Sequence, residues 1–228
     1  MPTGFEFVEA DPHTTAQRLG TGAIHVWRIP YALSQGRAPL LTMLAAYMGI
    51  PASQVVLDQN AKGKPRLQRV SARSGHAQRD EADGILSFNW SHSGDYALIA
   101  LARGGALGVD IERFGKKLRA LEIAQRFFDP AEAVALAALD PAARDHAFIG
   151  LWCAKEAVLK AVGEGLSFGL ARLAFRRQDA ADWELVRVDP ALGDSVDWQF
   201  IGFDAAPGYR GALAWLGDMR EIHAFHPA

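Results

Sequence analysis

Among the 228 residues there is a single cysteine, Cys153. One thiol excludes an intramolecular disulfide and a thiolate zinc cluster alike. With no histidine partner evident in sequence, Cys153 reads as a small buried apolar residue. Charge of one sign is also missing, since 24 Lys and Arg face 26 Asp and Glu. Bulk electrostatic binding to nucleic acid leaves a strongly basic footprint and is not expected, although the balance permits a local basic pocket for a small anion. No stretch approaches the roughly 20 apolar residues of a membrane-spanning helix. The Ala-rich run 131–143 is interrupted by Glu132, Asp140 and Pro141. The first ten residues carry Glu6 and Glu9 and no cationic start before an apolar run, unlike a secretory signal. Low-complexity tracts, strong internal repeats, a Walker loop and a dinucleotide fingerprint are all absent. The expectation is a soluble cytoplasmic protein that engages neither membrane nor nucleic acid.

What is present supports a packed core. Half the residues are apolar and 10% are aromatic, enough for one large domain or two small ones. Residues 22–30 alternate as a half-buried strand does. Leu40, Leu41, Leu44, Ala45 and Met48 recur at helical spacing, with Gly49 and Pro51 ending that helix. Residues 55–57 predict a short strand running into a turn at 61–63, and the polar stretch 68–84 predicts an exposed loop. Strands are predicted at 96–101 and 107–111, joined by a hairpin-sized loop with Gly104 and Gly105. Helical spacing runs from about 118 to 162, with breaks at Asp129–Pro130 and Asp140–Pro141, where Asp caps and Pro opens a helix. Strand-like runs return at 183–188, 196–203, 210–216 and 221–225. Because these closing strands follow one another without helices between them, the class is α+β rather than a doubly wound parallel sheet.

Four segments carry polar chemistry. In a strand, Asp110 and Glu112 share one face while Val109 and Ile111 turn to the core. Two adjacent carboxylates repel unless a cation lies between them, and a hard divalent ion such as Mg²⁺ is one answer; two solvated acids at a strand end is the other. On a helix, Trp152, Glu156 and Lys160 form one stripe with Lys155 beside it. Glu156 and Lys160 alone would make an ordinary surface pair, but Trp152 and Leu159 point to burial, where such a cluster is costly without a task. Phe88–Gly94, with Ser91, His92 and Ser93, suits an anion-binding turn or a simple capped turn. Lys62–Arg66 is a tight basic turn of the kind that is usually solvated.

In this order, Gly63–Pro65, Asn89–Ser93, Gly108–Glu112 and Trp152–Lys160 resemble the 4'-phosphopantetheinyl transferases of the longer, two-half class that activates surfactin-type synthetases. Arg126–Phe128 and Gly163–Ser167 are similar to that family too, and the likeness runs from about residue 36 to 175. The resemblance implies a monomer of two similar α/β halves with a pseudo-twofold relation, their mostly antiparallel sheets packed with helices and the site in the cleft between them. Residues 1–105 would hold the adenine and phosphates of coenzyme A, and residues 106–228 the metal acids and catalytic helix. Asp110, Glu112 and Glu156 would match the family's Mg²⁺ (or Mn²⁺) ligands. Lys64, His92, Ser91 and Lys155 would contact phosphate, with Gly63, Lys64 and Pro65 beside adenine; Arg37 is the nearest candidate for the 3'-phosphate. Lys160 would steady the pyrophosphate and Glu156 would act as base. The implied reaction moves phosphopantetheine onto a serine of an acyl or peptidyl carrier protein and releases 3',5'-ADP. Lys116, Lys117, Arg119 and Arg126, with Phe127 or Phe128, would meet the acidic carrier. The competing readings are a Mg²⁺-dependent phosphohydrolase acting on a nucleotide-like pyrophosphate, and a non-catalytic protein that binds coenzyme A or the carrier.

Overall fold

The computed structural model describes residues 5–68, 84–115, 119–179 and 182–228. Its centre is the strand β2 (Ala23–Pro30), which alternates Ile24 and Val26 on one face with Trp27 and Ile29 on the other, all buried. Strands β1 (Val8–Glu9), β5 (Leu86–Ser93), β6 (Tyr96–Arg103) and β12 (Glu221–His226) complete a five-stranded sheet in the order β1-β12-β2-β6-β5. β6 is antiparallel to both β2 and β5. β12 is parallel to both β1 and β2, so the sheet is completed by a strand nearly two hundred residues downstream of β2. On the Trp27 face lie the short helix α1 (Pro12–Ala16) and α2 (Ala38–Met48), whose Leu40, Met43, Leu44 and Tyr47 pack on Ile99 and Leu101.

The opposite face meets a second sheet. There β7 (Leu107–Arg113), β11 (Tyr209–Leu216) and β10 (Trp198–Ala206) form an antiparallel ladder in the order β10-β11-β7. Ile24, Val26, Leu98 and Ala100 from the first sheet interdigitate with Val109, Ile111, Phe203 and Leu213 from the second. The second sheet's far face is covered by α3 (Ala120–Phe127), α4 (Pro130–Ala137) and above all α5 (Pro141–Val162). The architecture is therefore α+β, a helix–sheet–sheet–helix stack. Two small ribbons, β3 (Leu57–Gln59) with β4 (Pro65–Leu67) and β8 (Ala174–Arg177) with β9 (Trp183–Arg187), lie outside it.

The α4 and α5 starts behave as the Asp–Pro pairs predict. Asp129 accepts from Ala131 N, Asp140 accepts from Ala142 N and Ala143 N, and Pro130 and Pro141 open the helices. α5 runs 22 residues because nothing in it breaks the ladder until Gly163. It also lies almost on the backbone of β7. A Cβ at Gly108 would sit 1.9 Å from Ala157 O and 2.4 Å from Ala161 N. That contact sets the depth at which α5 rides over the strand that carries the acids.

Three expectations change. The strands at 96 and 107 are not a hairpin, since β6 stays in the first sheet and β7 crosses to pair with β11. Phe88–Gly94 is not a turn; β5 runs to Ser93 and only then reverses. The strand expected at 55–57 begins at Leu57, after a 3₁₀ turn over Ala52–Gln54. The loop expected at 68–84 lies, apart from its two end residues, outside the described residues. Among the described residues, no helix is long and apolar enough to cross a membrane.

Candidate active site

β5 and β7 run side by side at the edges of their sheets without a main-chain ladder between them. Side chains close the seam instead. The period of two places Asn89, Ser91 and Ser93 on one face of β5. Asn89 Oδ1 accepts from Val109 N at 2.8 Å, and Ser93 Oγ accepts from Arg113 N at 3.2 Å. Ser91 Oγ donates to Asp110 Oδ1 at 2.7 Å, and Ser93 Oγ donates to Glu112 Oε2 at 2.8 Å. These hydroxyls and the amide satisfy the otherwise open edge of β7 and fix both carboxylates.

The stripe on α5 arrives above them. Lys160 Nζ donates to Asp110 Oδ1 at 2.6 Å and to Ser91 Oγ at 2.8 Å. Trp152, Glu156 and Lys160 join Asp110, Glu112, Trp90, Ser91, His92 and Leu166 around a hollow of about 350 Å³. Two carboxylate oxygens at its floor, Asp110 Oδ2 and Glu156 Oε1, are buried and accept no hydrogen bond. A buried acceptor without a partner costs free energy, so the arrangement is poised for a ligand.

Electrostatics follows from this crowding. Burial, and then the charges of Asp110 and Glu112, push the Glu156 carboxyl up to about 7 against the pull of Lys160. Burial acts to lower the Lys160 ammonium, but the charge and hydrogen bond of Asp110, with Glu156, outweigh it and hold it above its ordinary value. Burial and the Lys160 charge lower His92, opposed by Glu112. His92 itself is exposed at the rim, stacked on Tyr31 at 4.6 Å between ring centres. Cys153 lies beneath, fully buried, and burial with the nearby acids raises its thiol well above the ordinary range.

Several expected residues are not brought to this hollow. Lys155 is fully buried on the other side of α5, where its Nζ meets Glu132 at 2.8 Å and donates to Leu170 O and Leu173 O at 2.9 and 2.7 Å. One residue along a helix turns a side chain by about 100°, so Lys155 points away from the face that carries Glu156. There it holds the chain that follows α5. Lys64 Nζ is bound to the backbone carbonyls of Leu107 and Ala161 at 3.2 and 2.8 Å. Burial brings its ammonium down to about 8. Lys64 and Pro65 instead line a second hollow of about 370 Å³ with Leu86, Phe88, Ala106 and Leu107. Gly63 stands in the exposed turn before them, and Arg37 is exposed at the start of α2; neither lines either hollow. Of the expected carrier contacts, Phe127 is exposed and Phe128 is buried on Phe148. Arg126 lies 5.1 Å over the Phe127 ring, Arg119 pairs with Glu122, and Lys116 and Lys117 lie outside the described residues.

Sequence reasoning missed Glu132, whose capping role at Asp129 hides a second one. Its Oε2 accepts from Asp129 N at 2.9 Å, while Oε1 accepts from Phe175 N at 2.8 Å. Asn89 and Ser93 lie within the Phe88–Gly94 segment, and their spacing with Ser91 was the available signal. Leu166 gave none.

Residues 106–214, which contain β7, α5 and the three acids, match the model of the 4'-phosphopantetheinyl transferase superfamily. Among individual relatives, the chain is similar to the 4'-phosphopantetheinyl transferase HetI of Nostoc sp., 35% identical over 132 residues, 58% of this chain and 52% of that protein. It is similar to the 4'-phosphopantetheinyl transferase psf-1 of Bacillus pumilus at 33% over 128 residues, 56% of this chain and 48% of that one. The human L-aminoadipate-semialdehyde dehydrogenase-phosphopantetheinyl transferase is 31% identical over 150 residues, 63% of this chain and 46% of its own. The chain spans about half the length of the curated relatives it matches.

Proposed function

We propose that this chain transfers 4'-phosphopantetheine from coenzyme A to a serine of an acyl or peptidyl carrier protein and releases 3',5'-ADP. The observation that carries the reading is the hollow itself. Three acids and Lys160 converge on it, with two buried carboxylate oxygens left unpartnered, all within the stretch that matches the superfamily. The second hollow follows the first along the β5–β7 seam: residues 85–88 and Ala161 line one, residues 90–92 and Lys160 the other. This suits an elongated ligand, with the base beside Lys64 and Pro65 and the pyrophosphate over Asp110. His92, at the rim, is the side chain available to a terminal phosphate.

The donor set suits Mg²⁺ or Mn²⁺, because hard cations take carboxylate oxygens and leave room for substrate phosphates. Among the described residues, no three His, Cys, Asp or Glu side chains form a metal-holding group by themselves. Asp110, Glu112 and Glu156 would hold the ion with phosphate oxygens completing its shell, and when bound it supplies charge neutralisation at the pyrophosphate.

The chain's own residues do the rest. Glu156, raised to about 7, accepts the proton of the carrier serine as its Oγ bonds to the β-phosphorus. The bond from that phosphorus to the bridging oxygen breaks, and the electron pair leaves with 3',5'-ADP. The Lys160 ammonium, fixed by Asp110 and Ser91, meets the charge that builds on the leaving phosphate. Trp90, Trp152 and Leu166 form the apolar part of the wall.

Intact-protein mass spectrometry of an apo carrier protein, incubated with this chain, coenzyme A and Mg²⁺, tests the reading. A gain of one phosphopantetheine is expected, abolished by chelator and in Asp110→Ala. No gain on several carriers, with coenzyme A hydrolysed or only bound, overturns it.

A further inference from the structure

The basic turn that leads into β4 makes contacts that substrate binding does not require. Asn60–Lys64 is closed by Gly63 N donating to Asn60 O at 2.9 Å and Asn60 N donating to Lys64 O at 3.0 Å. Asn60 Oδ1 stiffens it by accepting from Lys62 N at 3.0 Å and Lys64 N at 2.8 Å. The turn then rests on the C-terminal end of α5. The last carbonyls of a helix have no partner within it, and here they are met from roughly a hundred residues upstream. Lys64 Nζ donates to Ala161 O at 2.8 Å, and Asn60 Nδ2 donates to Gly163 O at 3.0 Å. Lys62 lies 3.7 Å from Glu164. The ammonium also faces the negative end of the helix dipole. Contact is close: a Cβ at Gly163 would be 2.6 Å from Asn60 Nδ2 and 3.0 Å from Lys64 Cδ.

Lys64 does one thing more. Its Nζ reaches Leu107 O at 3.2 Å, the first residue of β7. A single ammonium therefore joins the helix end just after Lys160 to the strand start just before Asp110. Lys160 and Glu156 are placed by the helix, Asp110 and Glu112 by the strand, and their mutual register passes through this link.

We propose that the Asn60–Lys64 turn is a cap for the catalytic helix supplied from elsewhere in the chain, and that Lys64 and Asn60 are positioning residues that set Lys160 and Glu156 against Asp110. The kinetic part of the inference rests on the transferase reading; the cap does not.

Hydrogen–deuterium exchange on the full chain without ligand reads the cap directly. In Lys64→Met and in Asn60→Ala, the amides of Gly163 and Glu164, which both donate to Leu159 O, are expected to exchange about fivefold faster, as for a lost helix cap. The amides of β2 and β6 keep their rates. With an apo carrier protein, kcat is expected to fall about tenfold in both variants, while in Asn60→Ala, whose side chain lines neither hollow, KM for coenzyme A stays within about twofold. Unchanged exchange at 163–164 in both variants overturns the cap. Faster exchange with unchanged kcat in Asn60→Ala overturns the positioning role. If Lys64→Met does not fold, Asn60→Ala carries the same test without removing a charge. A wild-type chain that transfers nothing removes the transferase reading, and the exchange rates still decide the cap.

Discussion

At Glu156, burial and the charges of Asp110 and Glu112 raise the carboxyl to about 7 against the pull of Lys160. The folded protein therefore holds this proton more tightly than the unfolded chain does. The group's contribution to stability is fully present below the ordinary carboxylate range and is lost as pH rises through about 7. Without ligand, Glu156→Gln is expected to melt on the order of 10 °C above the wild type at pH 8, and level with it near pH 4; thermal melts across pH check this. Transfer runs the other way. Only the carboxylate accepts the serine proton, so wild-type initial rates are expected to rise with pH along an acid limb that the Gln variant loses. The acids of this site were legible because both repeats that present them are short: two along β7 for Asp110 and Glu112, four along α5 for Trp152, Glu156 and Lys160. Lys155 and Lys64 were not. Each is a cation whose burial depends on a partner far away in sequence, Glu132 for one and the carbonyls of Leu107 and Ala161 for the other. Nothing in local spacing distinguishes such lysines from solvated ones.

Elements meet most closely where α5 crosses β7. The space that a Gly108 side chain would need is already taken by the backbone at Ala157 and Ala161, so no rotamer change can make room. Gly108→Ala is expected to push the helix off the strand and to cost roughly 3 kcal/mol, at the upper end for overpacking. Urea unfolding measures the loss, and transfer activity should fall with it because Lys160 and Asp110 move apart. A variant with native stability and full activity would show that the helix can ride higher without consequence. The same elements explain what could be read of the fold. The starts of α4 and α5 were visible because Asp caps and Pro opens a helix by purely local geometry. The destination of β7 was not visible. Gly104 and Gly105 give a loop short enough for a hairpin, but Leu107, Val109 and Ile111 would look the same in either sheet. Pairing with β11 is decided by strands a hundred residues further on. Likewise, the hydroxyls of β5 read as a turn because the seam they close is made of side chains.

Across the whole molecule, the first sheet is completed from the far end of the chain, with β12 wedged between β1 and β2. A cut at residue 105 therefore leaves the first piece without a strand of its own sheet. Residues 1–105 expressed alone are expected to be largely insoluble, and co-expression with 106–228 to restore a soluble pair, as judged by gel filtration and far-UV circular dichroism. Independent folding of 1–105 would mean that β2 tolerates an open edge. The order of synthesis has the same consequence in the cell. As the polypeptide is made, β2 and β6 leave the ribosome early, yet their sheet cannot close until Glu221–His226 has followed. During that interval the β2 edge is a template for any passing strand.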